Sequence, residues 1–268
     1  MPTQLSIVIP AYNERERLGP SLELLAAHLA RFAHRDSEVI VVDDGSTDGT
    51  PELVREWSAR WPALRLVQLP VNQGKGAAVR AGVRETRGDV IAFADADLSA
   101  PIEQLELLLA DLDDAEIAIL SRALPGTRLE RRQSRPRETM GKLYALLAQV
   151  LVIAGVPDAQ CGLKAYRGPI GRELFGQARE SGVLFDTEVL ALAAKRRLRI
   201  SQRPALWRHD PASRLHFGVS GSIGIAVALL RLKVRHRIFL AVRAAGPIRS
   251  SVRSPAYPQG VPAGGTKA

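Results

Sequence analysis

Short β-rich runs alternate with helix-period segments from residue 5 onward, and that alternation leaves few folds open. Residues 5–9, 38–42, 64–69 and 89–94 are largely apolar, and each stops at polar or turn-forming residues. Such runs read as strands covered on both faces by helices, as in a parallel sheet. Between them, residues 17–33 carry Leu18, Leu22, Leu25 and Leu29 at helical spacing. Residues 50–60 follow, with Thr50 at the cap position and Pro51 at the first helical position. A third helix covers 76–86. The expected architecture is α/β: a Rossmann-like, mostly parallel sheet with helices on both faces. Downstream the pattern predicts a helix at 101–112, a strand at 116–120, a basic loop at 123–138 and a helix at 139–154. A loop leads into a strand by 166, then come a helix at 184–197, a strand near 199–206 and an amphipathic helix at 221–243.

In open α/β sheets ligands bind beyond the carboxyl ends of the strands. This chain places its polar clusters there: Tyr12-Asn13-Glu14, Asp43-Asp44, Asn72 to Lys75, and Asp95-Ala96-Asp97. A carboxylate at the end of an apolar strand is costly to desolvate unless a cation or hydrogen-bond donors compensate it. A divalent metal, Mg2+ or Mn2+, suits hard oxygen ligands, which makes Asp97 and Asp95 candidate metal ligands. The same spacing also suits a plain turn or cap. Asp43-Asp44-Gly45-Ser46 is ordinary turn chemistry as well; its functional reading is a carboxylate that accepts from a nucleotide base or ribose. Asp48 reads as a helix cap. Gly74-Lys75-Gly76 opens a helix, where N–H groups and a lysine suit a phosphate, or where the lysine is simply solvated. The pattern is neither a Walker A loop nor a dinucleotide glycine fingerprint. Taken together, the clusters fit transfer of a group from a metal-bound nucleoside diphosphate.

The charge is uneven. The net +9 equals the nine basic residues that follow Asp210, a stretch without a single acid. The excess is therefore a C-terminal property with a local partner. The predicted helix at 221–243 sets Arg231, Lys233, Arg235 and Arg237 beside Leu230, Leu232, Ile238, Phe239 and Leu240. Such a helix can lie in the interface of an anionic membrane, or pack on the domain. Its uncharged run, 217–230, is shorter than the roughly 20 residues a bilayer span needs. Nucleic acid is not an expected partner, because the interleaved residues are aliphatic and offer few stacking faces. The single cysteine, Cys161, rules out an internal disulfide and fits a reducing compartment, and the first residues lack a secretory leader pattern. The expected location is cytoplasmic and peripheral, at the inner membrane face. Three segments are expected: a catalytic domain at 1–212, a basic membrane-associating helical segment at 213–244, and a disordered Pro/Gly/Ser-rich tail at 245–268. Oligomeric state is left open.

Four of these motifs stand in the order and spacing of the family-two inverting glycosyltransferases: residues 7–14, 42–48, 74–76 and 95–97. Further on, Ser121-Arg122, Asp158 to Lys164, and Phe185-Asp186-Thr187-Glu188 resemble the dolichyl-phosphate β-glucosyltransferases and their bacterial polyprenyl-phosphate relatives. The resemblance covers roughly residues 4–240. It implies a GT-A fold, a nucleoside-diphosphate sugar donor, a lipid-phosphate acceptor and a metal cofactor. It also implies roles. Pro10, Tyr12, Glu14, Asp43, Asp44, Lys75 and Asp95 become donor-site residues. Asp97, with Asp95, becomes the metal ligand. Asp158, Gln160 and Arg122 fall at the reacting centre, and Arg122, Arg131, Arg135 and Arg137 face the acceptor phosphate. Leu120 and Leu163 depart from the glycine and phenylalanine common in relatives. Ser99 replaces a glutamine common in mannosyl-transferring relatives, which favours glucose from UDP-glucose over mannose from GDP-mannose.

A lipid monophosphate is already anionic at pH 7 and needs no strong general base. Positioning and electrostatics then carry the catalysis. A hydroxyl acceptor would demand a carboxylate base, for which Asp158 or Glu188 is available in sequence. A non-catalytic sugar-nucleotide or membrane-binding protein keeping the fold is the remaining alternative.

Overall fold

The computed structural model describes residues 4–32, 37–130, 135–208, 220–238 and 242–243. The first half follows the predicted alternation: β1 (Leu5–Ala11), α1 (Arg15–Arg31), β2 (Glu38–Asp43), α2 (Thr50–Arg60), β3 (Leu64–Gln68), α3 (Lys75–Arg84) and β4 (Val90–Ala94). A 3-10 turn at Ile102–Gln104 leads into α4 (Leu105–Asp111), so the predicted helix at 101–112 is split. Then come β5 (Ile117–Ser121), β6 (Arg128–Leu129), α5 (Arg135–Leu151), β7 (Ile153–Ala154), β8 (Leu163–Arg167), α6 (Gly168–Gln177) and α7 (Phe185–Lys195). The last elements are β9 (Ile200–Pro204), β10 (Leu206–Trp207), α8 (Ser220–Arg235) and β11 (Val242–Arg243).

Seven strands form one sheet in the order β3-β2-β1-β4-β8-β5-β9. Its neighbours pair in parallel, except that β8 runs antiparallel to both β4 and β5. The two faces follow the period of two along each strand. Ile7, Ile9, Val39 and Val41 face Leu18, Leu22 and Leu25 of α1, Val54 of α2 and Leu105 and Leu108 of α4. Val8, Ile40, Val42, Ile91 and Phe93 face the other layer, built from α3, α5, α6, α7 and α8. Helices therefore cover both faces, which is why the central strands are apolar throughout.

Four further details differ from the sequence expectation. The stretch at 123–138 is not all loop, since β6 lies within it and α5 already starts at Arg135. Helix α5 stops at Leu151, because residues 153–154 pair with β11. Helix α6 was not anticipated. Helix α8 ends at Arg235 rather than 243: Arg237 takes a left-handed φ of 51°, and Lys195 of α7 donates to the His236 carbonyl at 2.8 Å. The tail at 245–268 lies outside the described residues, as does 213–219.

Candidate active site

Loops at the carboxyl ends of β1, β2, β3 and β4 are laced together. The Asn13 N–H donates to Ser46 Oγ (2.8 Å), and Asn13 Oδ1 accepts from the Thr47 N–H (2.8 Å). Asp48 accepts from the Thr50 N–H (3.0 Å) and the Arg15 N–H (3.1 Å), so it caps α2 and ties it to α1. Asp44 accepts from the Gln73 and Gly74 N–H groups at 2.7 and 2.8 Å. Asp43 accepts from the Ser46 N–H at 3.2 Å. Both acids are buried. Burial pushes the Asp44 carboxyl above its ordinary value against those two N–H bonds, and the Asp43 charge adds to the push. Gly45 sits at φ 75°, and a Cβ there would strike the Val71–Asn72 backbone. Pro10 is buried in β1, while Tyr12 is 43% exposed.

The end of β4 is arranged differently. Lys75 Nζ donates to Asp95 Oδ1 at 2.6 Å, and Arg17 reaches Asp97 Oδ2 at 3.8 Å while its other nitrogens grip Glu14 at 2.5 and 2.6 Å. Burial, and then the neighbouring Asp95 charge, push the Asp97 carboxyl above its ordinary value, against the Ser99 N–H and Arg17. Burial opposes the Lys75 charge, but Asp95 and Asp186 outweigh it and hold its pKa up. Leu98 takes φ 43°, a conformation uncommon for a bulky residue, at the turn that presents Asp97. Two partly exposed, hard-oxygen acids that repel one another fit a divalent cation. Among the described residues no group of three or more His, Cys, Asp or Glu could hold a metal.

Beyond β5 stands a second couple. Asp158 accepts from Arg122 Nε (2.7 Å), Nη2 (2.8 Å) and its backbone N–H (2.8 Å). Burial works to raise the Asp158 pKa, but the Arg122 charge and bonds win and hold it below the ordinary value. The guanidinium also lies 4.8 Å from the Trp207 ring centroid. Gln160 donates to the Val183 carbonyl at 3.0 Å. The two halves meet at Gly162, whose carbonyl accepts from the Asp95 N–H (3.0 Å) and where a Cβ would collide with the Asp95 carboxylate. Cys161 between them is buried with its thiol pushed up to about 12, chiefly by burial, so it is no nucleophile.

Of the expected site residues, Glu14, Asp43, Asp44, Lys75, Asp95 and Asp97 gather on one corner, and Arg122, Asp158 and Gln160 beside it. Arg135 and Arg137 fall in the first turn of α5, and Arg131 lies outside the described residues. The N–H groups of Gly76 and Ala77 do not point to open space: both donate to the Ser181 carbonyl, leaving the Lys75 side chain as the cationic group there. Sequence reasoning gave no role to Arg17, Lys164 or Asp186. Lys164 is fully buried, 2.8 Å from Asp186 and 5.0 Å from the Phe93 ring, whose other cationic neighbour is Lys75 at 5.3 Å. A lysine inside the apolar run Leu163–Tyr166 was the available signal, since a buried ammonium requires a partner.

A sheet of this order with acids clustered at its strand ends is the GT-A architecture of glycosyltransferases. Residues 6–175 match the family described as Glycosyl transferase family 2, and the chain belongs to it. It is 33% identical over 243 residues to a dolichyl-phosphate beta-glucosyltransferase of Trichomonas vaginalis, covering 87% of this chain and 71% of that one. The human dolichyl-phosphate beta-glucosyltransferase is 31% identical over 229 residues, covering 79% and 69%. Among solved structures, glucosyl-3-phosphoglycerate synthase of Mycobacterium tuberculosis with Mn2+, UDP and phosphoglyceric acid superposes with a TM-score of 0.59. At 21% identity, covering 86% of this chain and 78% of that one, it speaks for the fold.

Proposed function

We propose that the protein transfers glucose from UDP-glucose to a polyprenyl phosphate at the cytoplasmic face of a membrane, with inversion. The observation that carries this reading is the Arg122–Asp158 couple. The hydroxyl-acceptor alternative needs a free carboxylate base, but Asp158 is spent on a bidentate arginine and held acidic. Glu188, the other candidate, is 0% exposed. A phosphate acceptor arrives already ionised and needs neither. Its oxygen attacks the anomeric carbon, the bond from that carbon to the diphosphate breaks, and the electron pair leaves on the diphosphate oxygen. No proton has to move. Lys75 holds the leaving diphosphate, Asp44 and Glu14 line the nucleoside end, and Arg122 with the basic residues at 131–137 orients the acceptor. A divalent cation held by Asp97 and Asp95 would neutralise charge on the diphosphate. The relatives named beta-glucosyltransferases support glucose and the lipid phosphate.

A surface supports the membrane part. Helices α5 and α8 pack side by side, burying Tyr144, Ala148, Leu229 and Leu232. Their outer sides expose Leu143, Leu146 and Val150 from α5 and Val227, Leu230 and Val234 from α8. Exposed Lys142 and Arg231 flank them. Aliphatic residues bordered by cations match an anionic lipid surface. Among the described residues no helix is long and apolar enough to cross a membrane. The test is an assay with UDP-glucose, Mg2+ or Mn2+ and polyprenyl phosphate in vesicles. Formation of the β-linked glycolipid is expected. Glycosylation of soluble hydroxyl acceptors alone, or turnover of GDP-mannose alone, overturns the reading.

A further inference from the structure

Glu188 has no place in the chemistry above, yet a fully buried carboxylate is costly unless hydrogen bonds compensate it. Its compensation comes from two directions. Oε2 accepts from the N–H groups of Arg179 (2.8 Å) and Glu180 (2.7 Å). Oε1 lies 2.6 Å from His236 Nε2, just past the end of α8, and 3.7 Å from the Arg235 guanidinium. Arg235 also pairs with Glu180 at 2.5 Å. One carboxylate thus ties the C-terminal helix to the loop between α6 and α7.

The far side of that loop rests on the donor corner. The Ser181 carbonyl accepts from the N–H groups of Gly76 (2.7 Å) and Ala77 (3.3 Å), satisfying the start of α3. Arg80 of α3 donates to the Glu180 carbonyl and to Ser181 Oγ. Gln160 donates to the Val183 carbonyl. Gly74 and Gly76 are glycine for this contact, since a Cβ on either would run into the backbone of Ser181 or Glu180. Lys75 stands between those two glycines.

We infer that the C-terminal helix is a positioning element of the donor site, and that it acts through Glu188. The chain of contacts runs from His236 and Arg235 to Glu188, then through residues 179–181 to the turn that carries Lys75. The bonds to Glu188 are charge-assisted, and they hold a loop with few apolar anchors of its own. Glu188 and His236 touch no reacting atom in this scheme; they set where Lys75 stands. The inference takes the nature of the donor from the function proposed above.

Amide hydrogen exchange tests the coupling without any ligand. In His236→Ala, exchange at residues 76–78 and 179–181 should quicken roughly tenfold, the factor for losing one hydrogen bond to a charged group, while β1 stays unchanged. Unchanged exchange at 76–78 overturns the inference. Kinetics with UDP-glucose give the second reading. KM for the donor should rise roughly tenfold with kcat nearly constant, and His236→Gln, whose amide can still donate to Glu188, should recover most of it. A role confined to stability would lower the melting temperature and leave KM of the folded protein alone, which also overturns the inference. If exchange responds but the wild type neither binds nor turns over UDP-glucose, the donor reading falls and the coupling stands.

Discussion

The ends of β2 and β4 carry similar acid pairs, and their surroundings separate them. Asp43 accepts from a backbone N–H of its own turn, and Asp44 from two of the loop that follows β3. Asp95 and Asp97 face the side chains of Lys75 and Arg17, although Asp97 Oδ1 also accepts from the Ser99 N–H at 2.9 Å. A backbone donor belongs to the fold and cannot leave without opening a loop. A lysine or arginine on a flexible stem can exchange its partner for an incoming anion. The first pair therefore reads as a brace and the second as a place where charge is meant to be exchanged.

Three experiments break or sharpen that contrast. Asp97→Asn should lower turnover the most, by about 10²–10³-fold, because it removes a preorganised charge at the reacting site. The same change should raise the melting temperature of the ligand-free protein. The sign follows from the raised pKa: an acid that ionises less readily in the fold lowers stability as pH rises through its folded pKa. A fall in melting temperature for Asp97→Asn would place it with the braces. Asp44→Ala should instead lower the melting temperature, and it should raise KM for the donor. It leaves the Gln73 and Gly74 N–H groups without their acceptor and should cost about 1–3 kcal/mol in denaturant unfolding. The smallest effect concerns pH. On acidification, metal-dependent UDP binding should weaken above the ordinary carboxyl value of 3.8, because Asp97 takes up its proton early. Asp158 behaves oppositely: its contribution to stability is full above that value and is lost progressively as pH falls from there through its lowered folded pKa. Titration of UDP affinity beside acid unfolding separates the two windows.

Legibility was likewise uneven. Strands β1, β2, β3 and β4 could be read from their apolar runs, because a strand covered on both faces leaves little choice of residue. The acids at their ends stood out for the same reason. Helix α6 escaped notice since Gly168, Pro169, Gly171 and Gly176 mask its periodicity, although Gly171 packs closely on Tyr166. The start of α5 was hidden in a run of arginines. The end of α8 depends on Lys195 and Glu188, contacts some 40 residues away in sequence that no local pattern encodes. The role of Glu188 could not be read for that reason either: an acid near the start of a helix looks like a surface residue until its neighbours are known. Arg17 looked like an ordinary helix residue, and only its approach to Asp97 marks it.

The antiparallel strand β8 also bears on how the chain assembles. Without it the sheet falls into two pieces, β3-β2-β1-β4 and β5-β9, with no shared edge. Both strands that β5 pairs with, β8 and β9, follow it in the chain. The first four strands can pair on local connections, whereas the Arg122–Asp158 couple comes beside Asp95 through β8 and the residues leading into it. Strand β8 thus joins the donor corner to the Arg122–Asp158 couple, and β9 completes the sheet at its outer edge.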